Sequence, residues 1–175
     1  MNITLTKISV AIALVVAATA ASAQVYGEVA YTGLTYEEEG GKADLGTLGA
    51  TIGYEINKNL AVEGMFAAGV QDDDVDVGGF NVNVDLKNTY GVFLKPKAEL
   101  AENLEVYARL GWAKSKIEAS AFGQTMSDSG SDFAYGVGLQ YSFSPTTYVT
   151  GSYTNLYDKE GTTIDGWGIG IGYKF

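Results

Sequence analysis

The chain has no cysteine and no histidine among its 175 residues, and it has only two prolines. These absences exclude a disulfide, the usual zinc sites, and hydrolases built on a histidine base or a cysteine nucleophile. Basic residues are also scarce, because 11 lysines and arginines stand against 21 acids and leave a formal net charge of -10. An isoelectric point of about 4.3 argues against nucleic-acid binding, since the chain would repel phosphate.

What the chain has in quantity is apolar and small residues. Hydrophobic residues make up 46% of the chain, aromatic residues make up 12%, and there are 23 glycines. This composition supports a packed fold and excludes a disordered chain. The mean hydropathy is only +0.04, so the arrangement of the apolar residues is more informative than their number.

The first 23 residues have the three parts of a secretory signal peptide. Lys7 supplies a positive charge near the start, residues 8–20 are almost entirely apolar, and Ala21, Ser22 and Ala23 form a small-residue cleavage site. The apolar run is shorter than the ~20 residues that a membrane-spanning helix needs. The sequence therefore predicts that residues 1–23 are a signal peptide and that residues 24–175 form one exported domain.

Beyond Gln24, apolar residues alternate with small or polar ones, which is the period of a strand with two different faces. Eight such runs follow one another, at residues 29–33, 48–54, 62–68, 80–96, 106–112, 135–141, 149–153 and 167–175. Short connections at 57–59, 97–103 and 144–146 alternate with longer ones at 37–44, 71–87, 115–131 and 157–164. Because an even number of antiparallel strands closes without an edge, the pattern predicts an all-β, eight-stranded antiparallel up-and-down barrel.

The two faces of the predicted strands differ in charge and in size. The bulky face, taken at 28 positions near the strand centres, carries no charged residue, although 18% of the chain is charged. The other face is mostly Gly, Ala, Ser and Thr, and its charged residues are Glu28, Glu55, Glu63, Lys95, Glu105, Arg109 and Lys174. One face therefore avoids charge and the other accepts it.

The bulky, uncharged face could lie in either of two environments, the interior of a soluble barrel or the lipid of a membrane. In a soluble ligand-binding barrel it would point inward, but the interior of eight strands is barely wide enough for ordinary side chains. It has no room for the aromatic residues Tyr31, Tyr54, Phe66, Tyr90, Trp112, Tyr135, Tyr141, Tyr153 and Tyr173. With the bulky face outward the solvent must be lipid, where a charge near the midplane costs about 2–4 kcal/mol. The sequence thus predicts a transmembrane barrel with a narrow polar lumen.

Aromatic residues fall at two levels of the predicted barrel, as interfacial girdles do. Tyr54, Tyr141, Phe143, Tyr173 and Phe175 lie near the short connections, and Trp112, Phe133, Tyr135, Tyr157 and Trp167 lie toward the longer ones.

The chain ends on an aromatic residue with hydrophobes at every second position before it: Trp167, Ile169, Ile171, Tyr173 and Phe175. With the signal peptide and the eight alternating runs, this ending resembles the small outer-membrane β-barrel family of OmpX and the OmpA transmembrane domain. The barrel-only layout of OmpX fits better, since no periplasmic domain follows Phe175. The resemblance implies residence in the bacterial outer membrane, and it implies that the terminal strand is the signal for the barrel-insertion machinery.

The charged inner face has three interpretations. Members of the resembled family pair such residues in a buried polar network, which would plug the lumen, and buried charges persist when paired. A narrow, low-conductance pore is the alternative, because Gly136, Gly138, Gly168, Gly170 and Gly172 leave room for water. A carboxylate-only hydrolase would need Glu28, Glu63 or Glu105 as acid and base. We favour the network, and so expect no catalytic residue and no cofactor.

Acidic residues concentrate in the longer connections. Fifteen of the 21 acids lie there: Glu37, Glu38, Glu39, Asp44, Asp72, Asp73, Asp74, Asp76, Asp85, Glu118, Asp128, Asp132, Asp158, Glu160 and Asp165. They form a solvated surface that could contact surface ligands, or they bind Ca²⁺ or Mg²⁺ and so bridge to the phosphates of lipopolysaccharide. Asp72, Asp74 and Asp76 are the metal candidates, although the EF-hand pattern fails at Val77 and Asn83.

The connection from Asp72 to Lys87 is predicted to extend the sheet beyond the membrane. Phe80, Val82, Val84 and Leu86 have the same parity as Tyr90, so they are expected on the same outer face. In the resembled family, protruding edges of this kind serve adhesion and defence against the host. We therefore expect a structural or surface-interaction protein.

Overall fold

A computed structural model of the chain describes residues 24–38, 41–77, 80–121, 124–159 and 161–175. Residues 1–23 lie outside this part, so the signal peptide stays a prediction. The strands are β1 (Val25–Glu38), β2 (Gly41–Asn57), β3 (Leu60–Gln71), β4 (Asp73–Val77), β5 (Phe80–Ala101), β6 (Leu104–Ala121), β7 (Gln124–Ser142), β8 (Thr147–Lys159) and β9 (Thr162–Lys174). No helix long and apolar enough to cross a membrane occurs in these ranges.

Eight of the strands form a closed antiparallel ring. The order in the sheet is β3-β2-β1-β9-β8-β7-β6-β5-β4, and an additional pairing of β3 with β5 closes it. β1 and β9, the first and last strands, pair from Tyr26↔Lys174 to Glu37↔Thr163. β4 lies outside the ring and pairs with β5 from Asp73↔Val84 to Val77↔Phe80. The predicted eight-stranded up-and-down barrel is confirmed.

The bulky face of the strands points outward. Trp112, Trp167 and Ile169 are 65%, 73% and 72% exposed, whereas Glu63 and Lys95 on the opposite parity are each 1% exposed. Because side chains alternate along a strand, one exposed and one buried position fix its two faces as far as the pairing runs without a bulge. The outer surface is therefore apolar and the interior holds the charges.

Outward aromatic side chains pair at two heights. Trp112 and Phe133 meet edge to face with ring centroids 5.6 Å apart, and Tyr153 and Trp167 lie 5.0 Å apart. At the other end, Tyr141 and Phe143 lie 5.3 Å apart, as do Tyr173 and Phe175. We call the first set of pairs the upper belt. The second set, beside the short turns, is the lower belt. Aromatic belts of this kind mark the two membrane interfaces.

Two glycines make room for the tyrosines that cross the interior. Tyr26 and Tyr148 are almost fully buried and meet edge to face with centroids 6.2 Å apart. A Cβ atom at Gly53 would overlap the Tyr26 ring, and one at Gly172 would overlap the Tyr148 ring. The inner wall therefore needs glycine where these rings lie against it.

The longer connections are paired strands and not loops. β6 and β7 stay in register from Leu104↔Tyr141 to Ala121↔Gln124, so the predicted loop at 115–131 is wrong. The sequence pattern fails there because beyond the lipid the outward face of a strand meets water, so polar residues replace the apolar ones on that face and the alternation is lost.

The expected parity of Leu86 is also wrong. Leu86 is fully buried and pairs with Ile117, whereas Tyr90 is 50% exposed. The register shifts between Leu86 and Asn88, so Lys87 is an extra residue that reverses the faces of the strand. The side chains of Phe80, Val82 and Val84 lie outside the described part of the chain.

A second bulge moves Tyr157 away from its predicted girdle position. The register between β8 and β9 shifts between Asn155 and Tyr157. Tyr157 is half-buried and packs against an interior apolar cluster. Bulges of this kind have no signature in an alternation pattern, because one extra residue changes parity without changing composition.

Candidate functional site

Four charged side chains meet in the middle of the barrel, and we call them the upper tier: Glu28, Glu63, Lys95 and Arg109. Arg109 Nε donates to Glu63 Oε2 at 2.6 Å, and its Nη2 donates to Glu28 Oε1 at 3.0 Å. Lys95 Nζ lies 3.2 Å from Glu63 Oε1, which also accepts the Tyr26 hydroxyl at 2.7 Å. Two acids and two bases make the upper tier neutral, which is the condition under which buried charges persist.

Lys95 is enclosed by aromatic rings as well as by charge. Its Nζ lies 4.4 Å from the ring centroid of Tyr107, 5.0 Å from that of Tyr26 and 6.0 Å from that of Tyr148. It also lies 3.4 Å from Gln140 Oε1. Ring faces attract an ammonium group most strongly where water is excluded, so these contacts hold the side chain across the lumen.

A second charged group, the lower tier, lies nearer the short turns and consists of Glu55, Lys97, Glu105 and Lys174. Lys97 Nζ lies 2.6 Å from Glu55 Oε1 and 3.2 Å from Glu105 Oε1. Lys174 Nζ lies 3.7 Å from Glu55 Oε1. Gln140 Nε2 donates to Glu105 Oε2 at 2.7 Å and so joins the two tiers. The lower tier is also neutral.

The structure brings together the seven inner residues singled out in the sequence, and it adds others that the sequence interpretation missed. Lys97 falls within the short connection that the sequence predicts at 97–103, yet β5 continues through it and only Glu102 and Asn103 form the turn. Its position two residues after Lys95 would have placed it on the inner face. Tyr26, Tyr107 and Tyr148 also lie on the inner face, although the bulky-face pattern predicts that aromatic side chains point toward lipid.

The half of the interior nearer the long hairpins is closed by apolar side chains, which we call the apolar plug. Its buried members are Leu34, Ala43, Leu45, Leu86, Phe93, Ala113, Ala134, Leu156 and Ile164, with Tyr36, Met65, Ile117 and Tyr157 packed against them. A cavity of about 50 Å³ separates the plug from the upper tier and is lined by both, including Phe93 and Arg109. Two charged tiers and an apolar plug therefore lie in series along the lumen.

Above the upper belt, β5, β6 and β7 continue as a paired sheet. From Leu104 to Trp112, β6 rises roughly 20 Å, and from Trp112 to Ala121 it rises roughly 20 Å more, at ~3.3 Å per residue and a tilt of ~40°. β4 adds a further strand to β5 at that end. We call this part the protruding sheet. It consists of β4 and of the segments of β5, β6 and β7 that lie on the long-hairpin side of Tyr90, Trp112 and Phe133.

A family model described as the outer membrane protein beta-barrel domain matches residues 8–175. The chain belongs to this family. Its bulky outer face therefore lies in the lipid of the bacterial outer membrane, between the two aromatic belts.

Relatives within the family are attachment invasion locus proteins. One from Yersinia pseudotuberculosis is 32% identical over 166 residues, covering 89% of this chain and 90% of that protein. The crystal structure of Ail from Yersinia pestis, in complex with the heparin analogue sucrose octasulfate, is 26% identical with a TM-score of 0.66, covering 87% of this chain and 98% of that one. Neisserial surface protein A shares the fold, with 12% identity and a TM-score of 0.68 over 88% of this chain and 98% of that one.

The terminal strand of this family member occupies the closing position of the barrel. β9 is paired on one side with β1 and on the other with β8. Trp167, Ile169, Ile171 and Tyr173 point outward, and the Phe175 backbone nitrogen donates to the Val25 carbonyl at 2.9 Å. Recognition of this strand by the insertion machinery stays a prediction.

The predicted metal ligands do not form a metal site among the described side chains. Asp72 accepts a hydrogen bond from Asn83 Nδ2 at 2.8 Å, which lowers the pKa of its carboxyl below the ordinary value. The side chains of Asp74 and Asp76 lie outside the described part of the chain. Within that part, no three acidic side chains are placed to hold a metal ion.

The barrel is expected to be electrically silent in a planar lipid bilayer. A conducting path would have to cross both charged tiers and the apolar plug, and an apolar constriction excludes hydrated ions. Conductance of the purified full chain is measured, with a known porin as the positive control in the same bilayer. Stepwise currents that scale with salt concentration and disappear after heat unfolding would contradict the closed lumen.

Proposed function

We propose that this chain is an adhesion-type protein of the outer membrane, in which the barrel is the anchor and the protruding sheet is the contact surface. The observation that carries the proposal is the continuation of β5, β6 and β7 roughly 20 Å past the upper belt as a hydrogen-bonded sheet. The relatives named for attachment and invasion support the same role.

We propose that the partner presents positive charge. Fifteen acids lie in the segments beyond the upper belt, against five lysines: Lys42, Lys87, Lys114, Lys116 and Lys159. The relative from Yersinia pestis was solved with a sulfated sugar, but a polyanion would be repelled by the acidic end of this chain. Opposite charge steers association and is screened by salt, so attachment should weaken as ionic strength rises.

We infer that the carboxylates on the inner face are structural. Glu63 bonds Arg109, Lys95 and Tyr26 at once, Glu28 bonds Arg109, and Glu105 bonds Lys97. A general acid or base must reach substrate and exchange a proton, whereas these groups are occupied by cations below the apolar plug. This supports a protein without a catalytic site.

The test shortens the protruding sheet and leaves the barrel whole. Lys116 and Ser129 are directly paired, so residues 117–128 can be replaced with Asn-Gly, a two-residue turn that fits between paired strands. Bacteria without other adhesins would express the full chain or this variant, and attachment to cultured host cells would be counted. We expect the shortened variant to attach no better than bacteria without the protein.

A matched control separates the loss of the sheet from the loss of charge. The replaced segment contains two acids, Glu118 and Asp128, so the control is the full-length double variant Glu118→Gln/Asp128→Asn. Correct folding of every variant is checked by the difference in gel mobility between boiled and unboiled protein. If the shortened, folded variant attaches as well as the full chain, the protruding sheet is not the contact surface.

A further inference from the structure

The residue that follows the predicted signal peptide is a glutamine. Cleavage after Ala23 would make Gln24 the first residue of the exported chain. An N-terminal glutamine can react with itself, because its α-amino nitrogen can attack its own side-chain amide carbon and close a lactam ring. Both reacting groups belong to one residue, and an intramolecular reaction of this kind needs no encounter between molecules. Gln24 is therefore a candidate site of covalent modification.

The structure places Gln24 at the short-turn end of the barrel, beside the pairing of the first and last strands. Its carbonyl oxygen accepts the Glu55 backbone N–H at 2.7 Å. The next residue, Val25, pairs with Tyr54 of β2, and its carbonyl oxygen accepts the Phe175 backbone N–H at 2.9 Å. Gln24 itself is exposed. In outer-membrane barrels the end with short turns is the periplasmic end, so the reacting residue meets water.

The side-chain amide of Gln24 has a hydrogen-bond donor on its carbonyl oxygen. The Tyr54 hydroxyl donates to Gln24 Oε1 at 2.6 Å. When an amine attacks an amide carbon, negative charge develops on the carbonyl oxygen, and a donor already positioned there stabilises the transition state. Tyr54 therefore contacts the atom at which stabilisation would accelerate ring closure.

The two nitrogen atoms that the reaction changes have no contact to lose. Within the described part of the chain, neither the backbone nitrogen nor Nε2 of Gln24 makes a hydrogen bond. β1 begins at Val25, so the backbone nitrogen of Gln24 lies outside its ladders. The two oxygen atoms that Gln24 uses in hydrogen bonds, its backbone oxygen and Oε1, are both retained in the lactam. Ring closure is thus compatible with the folded barrel.

Ring closure also removes a charge beside the lower tier. Glu55 in this tier is already paired with Lys97 at 2.6 Å and with Lys174 at 3.7 Å. A free α-ammonium group on Gln24, whose backbone is bonded to that of Glu55, would bring a further positive charge to a neutral group. A lactam has no charge at neutral pH, as with other modifications that block a terminus. The modified end leaves the balance of the lower tier unchanged.

We propose that Gln24 of the exported chain is converted to pyroglutamate, with the Tyr54 hydroxyl stabilising the tetrahedral intermediate. The neutral form of the α-amine, which is in equilibrium with its ammonium form near neutral pH, attacks Cδ, and the N–Cδ bond forms. The Cδ–Nε2 bond then breaks, a proton passes through water from the ring nitrogen to Nε2, and ammonia leaves. The product has no α-amine for an aminopeptidase to recognise, so the strand that closes the barrel is protected from trimming.

The experiment examines the N-terminus of the full chain, expressed with its own first 23 residues in a bacterial host and extracted from the outer membrane. Free amines of the intact protein are dimethylated first, because a dimethylated amine cannot close the ring during later handling. A glutamate-specific protease then releases the N-terminal peptide for mass spectrometry. The peptide is expected to begin at Gln24, to carry no label, and to be lighter than the glutamine form by one ammonia. The Gln24→Glu variant is expected to carry the label, since a carboxylate is a poor electrophile.

The role of Tyr54 is tested by the rate of ring closure. Protein is collected shortly after a pulse of expression, and the labelled fraction is followed with time. Tyr54→Phe removes one hydrogen bond and is expected to slow ring closure by about three- to tenfold. Tyr141→Phe is the matched control, because Tyr141 is exposed to a similar extent, 46% against 45%, and lies on β7, away from Gln24.

The folding of each variant is checked by the difference in gel mobility between boiled and unboiled protein. The proposal is overturned if the N-terminal peptide begins at another residue, or if the free amine persists in aged, folded protein. It is also overturned if Gln24→Glu is blocked like the unaltered chain, or if folded Tyr54→Phe closes the ring as fast as Tyr141→Phe.

Discussion

Replacing Arg109 with methionine is expected to destabilise the folded barrel by about 3–5 kcal/mol, because it leaves buried carboxylates without their cation. Arg109 is 8% exposed and is the shared partner of Glu28 and Glu63, both of which are almost fully buried. One oxygen of Glu28 already has no hydrogen-bond partner within the described structure. The free energy of unfolding would be measured by urea titration of the full chain in lipid vesicles.

The control for Arg109→Met removes one cation from the lower tier. Lys174 lies 3.7 Å from Glu55, whose side chain is 20% exposed and is also bonded by Lys97. Lys174→Met should therefore cost about 1 kcal/mol or less. The double variant Arg109→Met/Glu63→Gln restores neutrality in the upper tier and should recover part of the loss. Equal costs for the two single variants, or no recovery in the double variant, would show that the upper tier is not a coupled network.

Replacing Val137 with arginine is expected to cost about 2–4 kcal/mol of folding free energy in a bilayer. Val137 is 59% exposed and lies on β7 midway between Phe133 of the upper belt and Tyr141 of the lower belt. An arginine there would place its charge near the middle of the hydrocarbon, where no water or counterion reaches it. The shift in the urea midpoint of folding into phosphatidylcholine vesicles reports the cost.

The same substitution at Phe143 is the matched control for Val137→Arg. Phe143 is exposed to a similar extent, at 64%, but belongs to the lower belt beside the turn at Ser144. Arginine at an interface costs only about 0–1 kcal/mol. If both substitutions were neutral, the bulky face would be facing water and the membrane assignment would fail.

The closed ring and its two faces could be predicted from the sequence because the period of a strand is fixed at two residues. Glu63 and Phe66, or Arg109 and Trp112, differ by an odd number of positions, so their opposite faces follow without any knowledge of pairing. The extent of the hairpins could not be predicted. From Lys114 to Ala121 every residue except Ile117 is polar or small, so the alternation no longer distinguishes a strand from a loop.

The arrangement of the interior required the structure. Lys95 and Lys97 differ by two positions yet belong to different tiers, because each reaches carboxylates carried by other strands. Which strands lie opposite each other depends on the shear and tilt of the barrel, and no local pattern encodes these. The bulge at Lys87 likewise moves Leu86 into the apolar plug by a shift that alternation cannot reveal.

The contact of the bulky face with lipid is tested most directly by the two native tryptophans. Trp112 and Trp167 are the only tryptophans of the chain, and both lie outward in the upper belt. The full chain, folded into vesicles whose lipids carry bromine near the headgroup end of the acyl chains, is expected to show strong quenching of tryptophan fluorescence and weak quenching by aqueous acrylamide. Strong quenching by acrylamide with none by brominated lipid would contradict the account.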